Sequence, residues 1–94
     1  MCDIRELILR RRRQLLVHSV IYYRFNENLI SDQTWSTWAV ELEKLQKEYP
    51  KEAAEVEFAE EFKNFTHSTG YNLPLEDPWA VGQARWLLSI AGII

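Results

Sequence analysis

The chain has 94 residues, of which 47% are hydrophobic and 13% aromatic, and its formal net charge is −3. That content is too apolar for an intrinsically disordered chain, and the length supports one modest core rather than two. Three glycines and three prolines leave little material for a turn-rich β-sandwich or barrel. We therefore expect a single all-α domain over residues 1–94.

The charges are distributed unevenly along the chain. Residues 1–25 contain six arginines and two acids, whereas residues 26–61 contain three lysines and ten acids. A basic end beside an acidic middle disfavours direct nucleic-acid binding, because a phosphate backbone attracted at one end is repelled at the other. The charged N-terminal region and the short apolar C-terminal run indicate neither a signal peptide nor a membrane span, so a cytoplasmic protein is expected.

Residues that often build disulfides or metal centres are scarce. Cys2 is the single cysteine, so no disulfide framework or cysteine metal cluster is expected within one chain. His67 has no partner at the spacing of metal ligands, so no metal site is predicted.

The first two predicted helices form an antiparallel hairpin over about residues 3–50. Asp3 with Glu6 three residues later predicts a helix N-terminus, and the helix should run to about Phe25. After a polar turn, Ser31 is a suitable N-cap for the second helix. The second helix has apolar residues at alternating three- and four-residue steps, the spacing of a seam packed against a neighbour. These residues are Trp35, Trp38, Leu42, Leu45 and Tyr49.

One or two further helices should pack on this hairpin, at residues 51–65, with or without a break, and at residues 78–91. Ser68-Thr69-Gly70 and Asn72-Leu73-Pro74 predict a loop between them. Asp77-Pro78 predicts the start of the last helix, since proline is tolerated at the first helical position.

The last helix is apolar on most sides, so we expect the other helices to surround it. Its large side chains should lie beside Trp38 and Leu42 of the hairpin. They are Trp79, Trp86, Leu87 and Ile90. A homodimer is one arrangement that would cover aromatic side chains that so small a chain leaves exposed.

One stretch of the hairpin carries a specific pattern. It reads Leu15-x-x-His18-x-x-x-Tyr22-Tyr23, then Ile30-Ser31-Asp32-x-x-Trp35, then Glu41-Leu42-x-x-Leu45 and Tyr49-Pro50. In these positions the chain resembles the N-terminal Ia domain of bacterial NAD+-dependent DNA ligases, over about residues 7–50. The resemblance implies a helical hairpin that closes over the nicotinamide mononucleotide half of NAD+. Small stand-alone phage and prophage proteins that carry only such a hairpin are similar to this chain as well.

The resemblance also implies roles for individual residues. Tyr22 and Asp32 match nucleotide-contacting positions of that family, and Tyr23 aligns with a position that also contacts the ligand. Trp35 replaces a tyrosine, which keeps the aromatic face and loses the hydroxyl. Ser36 replaces a second aspartate, which removes a charged acceptor for ribose hydroxyls or the carboxamide.

Each candidate also has a structural interpretation. The aromatic side chains are of the kind that fills helix contacts, and Asp32 favours a helix N-terminus by its charge. His18, one helical turn before Tyr22, is either a ligand contact that orders the tyrosine or binds a phosphate, or a partly buried polar residue. The neighbouring arginines form either an anion- or partner-binding site or a basic face that pairs with the acidic segment. They are Arg10, Arg11, Arg12 and Arg13.

The sequence predicts that the protein is not an enzyme. The adenylation signature of the ligases, a lysine followed by x-Asp-Gly, is absent, so no covalent adenylate and no catalytic cofactor are expected. One predicted function is a non-catalytic, phage-type protein that binds or sequesters a nicotinamide- or ADP-ribose-type nucleotide, such as nicotinamide mononucleotide, NAD or ADP-ribose. The alternative is a protein-binding inhibitor or adaptor of the counter-defence type, which acts on a host enzyme through charged and aromatic surfaces.

Overall fold

The part of the chain that the structure describes contains four α-helices and no strand, as the sequence predicted. The structure is a computed structural model that describes residues 3–63, 65–66 and 73–92. The helices are α1 (Ile4–Arg24), α2 (Asp32–Glu48), α3 (Pro50–Glu55) and α4 (Pro78–Ile90). Cys2, His67, Ser68-Thr69-Gly70 and Asn72, to which the sequence assigned roles, lie outside the described residues. None of the described helices is both long and apolar enough to cross a membrane.

Side-chain caps start three helices at the residues that the sequence predicted. The side chains of Asp3, Ser31 and Asp77 each accept a hydrogen bond from a backbone N–H of the following turn, at 2.9, 3.1 and 3.0 Å. Each bond satisfies a donor that has no partner within the helix. At the other end of α1, Asn26 adopts a left-handed φ of 54°, a conformation that asparagine tolerates better than most residues. The caps and this turn fix where the hairpin bends.

Helix α1 is the centre of the fold, since it packs against α2, α3 and α4. Ser19, late in α1, contacts Trp35, early in α2, whereas Arg12 contacts Gln46 near the end of α2. The two helices are therefore antiparallel, as their short connection predicted. The apolar residues that α1 buries are Ile8, Leu15, Leu16, Val17, Val20 and Ile21.

Helix α4 lies at the periphery, contrary to the prediction that the other helices surround it. Among the described helices it contacts α1 alone. The contact uses side chains spaced four residues apart, namely Ala80, Ala84 and Leu88, all fully buried, with Leu87 partly buried at the same interface. Small side chains in this row allow the two helices to approach closely.

The large side chains of α4 do not fill the space beside Trp38 and Leu42, so that prediction was wrong. Trp79, Trp86 and Ile90 are 40%, 58% and 64% exposed. Hydrophobicity alone did not distinguish the two faces of this helix, because both faces are apolar and only the one with small side chains permits close packing.

The segment predicted as a helix at residues 51–65 is helical only in α3, which ends at Glu55. Val56 is extended, Phe58 has a left-handed φ of 71°, and the chain continues in turns to residue 63. A left-handed conformation costs an aromatic residue about 1–2 kcal/mol, so packing must hold it in place. The segment buries Phe58, Phe62 and Phe65 in the core.

Candidate functional site

A cleft of about 240 Å³ lies where α1 ends and α2 begins. All six residues that the hairpin pattern indicated line this cleft: His18, Tyr22, Tyr23, Asp32, Trp35 and Ser36. The cleft is smaller than the roughly 300–1,000 Å³ of pockets that enclose a drug-sized ligand. It therefore suits one ring with an attached sugar rather than a whole dinucleotide.

Two tyrosines at the end of α1 form one wall. Tyr22 and Tyr23 are each 48% exposed, and their ring centroids are 4.8 Å apart at an interplanar angle of 85°. This edge-to-face arrangement is the favoured one for neighbouring aromatic rings. Because half of each ring remains uncovered, both tyrosines are available to contact a ligand.

Trp35, on α2, also lines the cleft, and its polar atom is satisfied within the protein. The indole Nε1–H donates to the hydroxyl of Ser19 at 3.2 Å, and the ring lies edge-on to Phe65 with centroids 6.4 Å apart. Ser19 itself is 1% exposed and lines the cleft. Ser19 was not among the residues predicted to line a site, although a small polar residue on the buried face of a helix is a signal that it has a specific partner.

Asp32 is the first residue of α2, and its carboxylate is exposed in the cleft wall. Among the described residues no cation pairs with it. Ser31 is already engaged, since its hydroxyl accepts from the backbone N–H of Thr34 at 3.1 Å and lies 2.9 Å from the Thr34 hydroxyl. Ser36, one turn further along α2, is exposed and also lines the cleft. Among the described residues, α2 thus offers the cleft the Asp32 carboxylate and the Ser36 hydroxyl.

His18 lies deeper in the wall and packs against Trp38, with ring centroids 5.8 Å apart. Its Nδ1 is buried and makes no hydrogen bond to any described residue. Burial lowers the pKa of His18 below its ordinary value of 6.5, because the charged form loses hydration. The ring is therefore neutral at pH 7, and it does not supply a positive charge to the cleft.

The His18 environment predicts that acid destabilises the protein. In the unfolded chain His18 binds a proton at its ordinary pKa of 6.5, whereas in the folded protein its pKa is lower. The free energy of unfolding is therefore highest above pH 6.5, and it decreases as the pH falls from 6.5 toward the folded pKa. Urea unfolding at about pH 7.5 and 5.5 should show a smaller loss of unfolding free energy for His18→Gln than for the wild type. Equal losses would rule out this contribution, and comparing the two proteins cancels any effect of His67.

The four arginines predicted as an anion or partner site do not act together. Arg11 lies 3.3 Å from Glu41, as an ion pair without hydrogen-bond geometry, and its guanidinium stacks 5.7 Å from the Trp38 ring. Arg13 pairs with Glu57 at 3.0 Å. Arg10 is exposed. Arg13 therefore pairs with the acidic segment, which was the structural interpretation of these arginines.

Arg12 is buried, which contradicts its prediction as a surface binding residue. It is 1% exposed, and its guanidinium donates to Gln46 Oε1 at 3.0 Å and to three backbone carbonyls. The acceptors are the carbonyls of Ala53 at 2.8 Å, Val56 at 3.1 Å and Glu57 at 3.0 Å. These carbonyls lie at the end of α3 and just beyond it, where backbone carbonyls have no N–H donor within the helix. Arg12 therefore caps α3 from a different helix.

The geometry defines a small all-α protein with a ligand-sized cleft at one end of a helical hairpin. No protein-family model matches the chain, and no curated protein or solved structure shows a significant similarity to it. Within the described residues, no group of three or more His, Cys, Asp or Glu side chains is arranged to hold a metal ion.

Proposed function

We propose that the protein binds a nicotinamide- or ADP-ribose-type nucleotide in the cleft between α1 and α2 without transforming it, and so sequesters it. The observation that carries the proposal is that one cleft contains two half-exposed tyrosines, the Trp35 ring and an unpaired carboxylate. Aromatic faces bind flat heterocycles, and a carboxylate accepts hydrogen bonds from sugar hydroxyls. The resemblance of the hairpin to the ligase Ia domain supports a nicotinamide nucleotide.

Each wall of the cleft has a distinct role in this proposal. Tyr22 and Tyr23 contact the ring of the ligand, and Asp32 accepts from its ribose. Trp35 offers its face, because its N–H is already bonded to Ser19. The cleft volume accommodates the ring and its sugar, so the remainder of a dinucleotide would lie in solvent.

Titration calorimetry with nicotinamide mononucleotide, NAD+ and ADP-ribose tests the proposal. We expect saturable heat with at least one of the three ligands. Absence of heat at millimolar concentrations of all three would overturn the proposed function.

Substitutions in the cleft should weaken binding. Tyr22→Ala removes a contact face and Asp32→Ala removes a charged acceptor, so each should raise Kd about 5- to 100-fold. Arg24→Ala and Gln33→Ala are matched controls, because both residues are exposed neighbours that do not line the cleft. The site assignment fails if the controls weaken binding as much as the cleft variants do.

A second function, a protein-binding inhibitor or adaptor, is favoured by the exposed face of α4. Trp79, Trp86 and Ile90 are spaced seven and four residues apart, which places them on one stripe of the helix. Exposed stripes of large apolar residues, tryptophan above all, are typical of protein-binding surfaces. This stripe is a better candidate surface than the arginines, of which three are engaged within the protein.

Comparison of the wild type with a Trp86→Ser/Ile90→Ser variant tests this second function. Copurification from a bacterial lysate should yield a partner with the wild type and not with the variant. Sedimentation velocity distinguishes a foreign partner from a second copy of the chain. Identical copurification and sedimentation for the two proteins would exclude α4 as a binding surface.

A further inference from the structure

We infer that the cleft selects a positively charged aromatic ring and makes no ionic contact with a phosphate. The inference rests on the proposed function and specifies its ligand further. It assigns the cleft to the oxidised, cationic form of a nicotinamide nucleotide rather than to the reduced form, whose ring is neutral.

The charges that line the cleft support this selectivity. Asp32 is the only Asp, Glu, Lys or Arg among its eleven lining residues. His18 does not offset that charge, because burial keeps its ring neutral at pH 7. The cleft therefore carries one net negative charge, which attracts cations and repels phosphates.

The four arginines at residues 10–13 are too distant to contact a phosphate in the cleft, and Arg24, exposed at the end of α1, does not line the cleft either. None of the four at residues 10–13 lines it, and three of them have partners elsewhere. Arg13, the nearest of the four in sequence, is nine residues from Tyr22, which separates them by roughly 14 Å along the axis of α1 at 1.5 Å per residue. The N-terminus of α2 attracts anions, but Asp32 occupies that end and offsets the attraction.

Aromatic rings next to a carboxylate form a recognised arrangement for organic cations. At sites as exposed as these, the negative face of a tyrosine or tryptophan ring attracts a cation by about 0.5–0.7 kcal/mol, or about two- to threefold in affinity, and an exposed carboxylate adds a similar amount. A pyridinium ring, flat and positive, gains both interactions, whereas a dihydropyridine ring gains neither. We expect the two effects together to favour the cationic ring about five- to tenfold.

Two matched pairs of ligands separate ring charge from phosphate. Nicotinamide mononucleotide and its reduced form carry the same phosphate and differ in ring charge, so the oxidised form should bind about five- to tenfold more tightly. Nicotinamide riboside carries the cationic ring without a phosphate, and it should bind at least as tightly as the mononucleotide. Both pairs are measured by calorimetry at low ionic strength, where screening is weak.

Three variants identify the source of the preference. Asp32→Asn preserves shape and should reduce the oxidised-to-reduced ratio to about twofold, the residual effect of the aromatic rings. Glu27→Gln removes an exposed acid that does not line the cleft and should leave the ratio unchanged. Ser36→Asp adds a second carboxylate to the wall and should raise the ratio to above tenfold. Circular dichroism confirms that each variant is folded.

The outcomes distinguish the inference from the function on which it rests. Equal binding of the oxidised and reduced mononucleotides, or tighter binding of the mononucleotide than of the riboside, overturns the inference and leaves nucleotide binding intact. Choline, a cation without a nucleotide, provides the converse test. If choline binds and its binding requires Asp32, while no nucleotide binds, the cation site stands and the proposed function is wrong. If none of these ligands binds, both are wrong.

Discussion

Arg12→Ala should destabilise the protein by about 3–5 kcal/mol, a large part of the 5–15 kcal/mol that stabilises a typical domain. The substitution removes four hydrogen bonds, and it leaves the buried carbonyl of Ala53 and the partly buried carbonyls of Val56 and Glu57 without this donor. It also removes the guanidinium that lies 5.9 Å from the centre of the Phe62 ring. Urea unfolding followed by circular dichroism measures the loss.

Arg13→Ala is the matched control for this prediction. The Arg13 side chain is about half exposed, and its ion pair with Glu57 is of the solvated kind that contributes at most about 1 kcal/mol. The loss of unfolding free energy for Arg12→Lys should lie between those for Arg13→Ala and Arg12→Ala. The lysine ammonium retains the charge, but it cannot donate to several carbonyls at once as the planar guanidinium does. If Arg12→Ala costs less than 1 kcal/mol, the hydrogen bonds to α3 do not stabilise the fold.

Phe62→Ala should cost about 3–5 kcal/mol, the usual penalty for truncating a fully buried phenylalanine. Phe62 lies in the turns after α3, and its ring contacts the Phe65 ring with centroids 5.1 Å apart. Its carbonyl accepts from the side-chain amide of Gln46 at 3.1 Å, which ties these turns to α2. The loss of apolar contact and the resulting cavity both weaken the attachment of the segment to the core.

Trp86→Ala is the control for Phe62→Ala. It removes a larger side chain, but one that is 58% exposed, so its cost should be below about 1 kcal/mol. Phe62→Leu should be milder than Phe62→Ala, because leucine refills part of the cavity. Equal costs for Phe62→Ala and Trp86→Ala would contradict the burial described for Phe62.

The hairpin was predictable because its signals are local. Asp3 and Ser31 cap helices through bonds that reach only two or three residues along the chain. The short turn then forces the helices to be antiparallel and brings the end of α1 beside the start of α2. The candidate ligand-binding residues at the end of α1 and the start of α2 therefore line one cleft.

The remaining features depend on contacts between residues far apart in sequence. Arg12 donates to carbonyls 41 to 45 residues away, and no pattern within residues 10–13 marks one arginine as buried. The extended Val56 ends the helix that the sequence of this segment favours, and the left-handed Phe58 follows it, a course that only tertiary packing can impose. In α4, Ala80 and Ala84 are spaced four residues apart, as a closely packed face requires, but the prediction rested on the apolar content of the helix and its large side chains.

Helix α1 serves two purposes at different points along its length. Arg12, which caps α3, and Tyr22, in the cleft, are ten residues apart, or about 15 Å along the helix axis. Substitutions separated by more than about 7–10 Å usually have additive effects on stability. Substitutions in the cleft should therefore leave the contribution of Arg12 and its partners to the stability of the fold unchanged. This separation allows the cleft residues to vary without loss of the cap on α3.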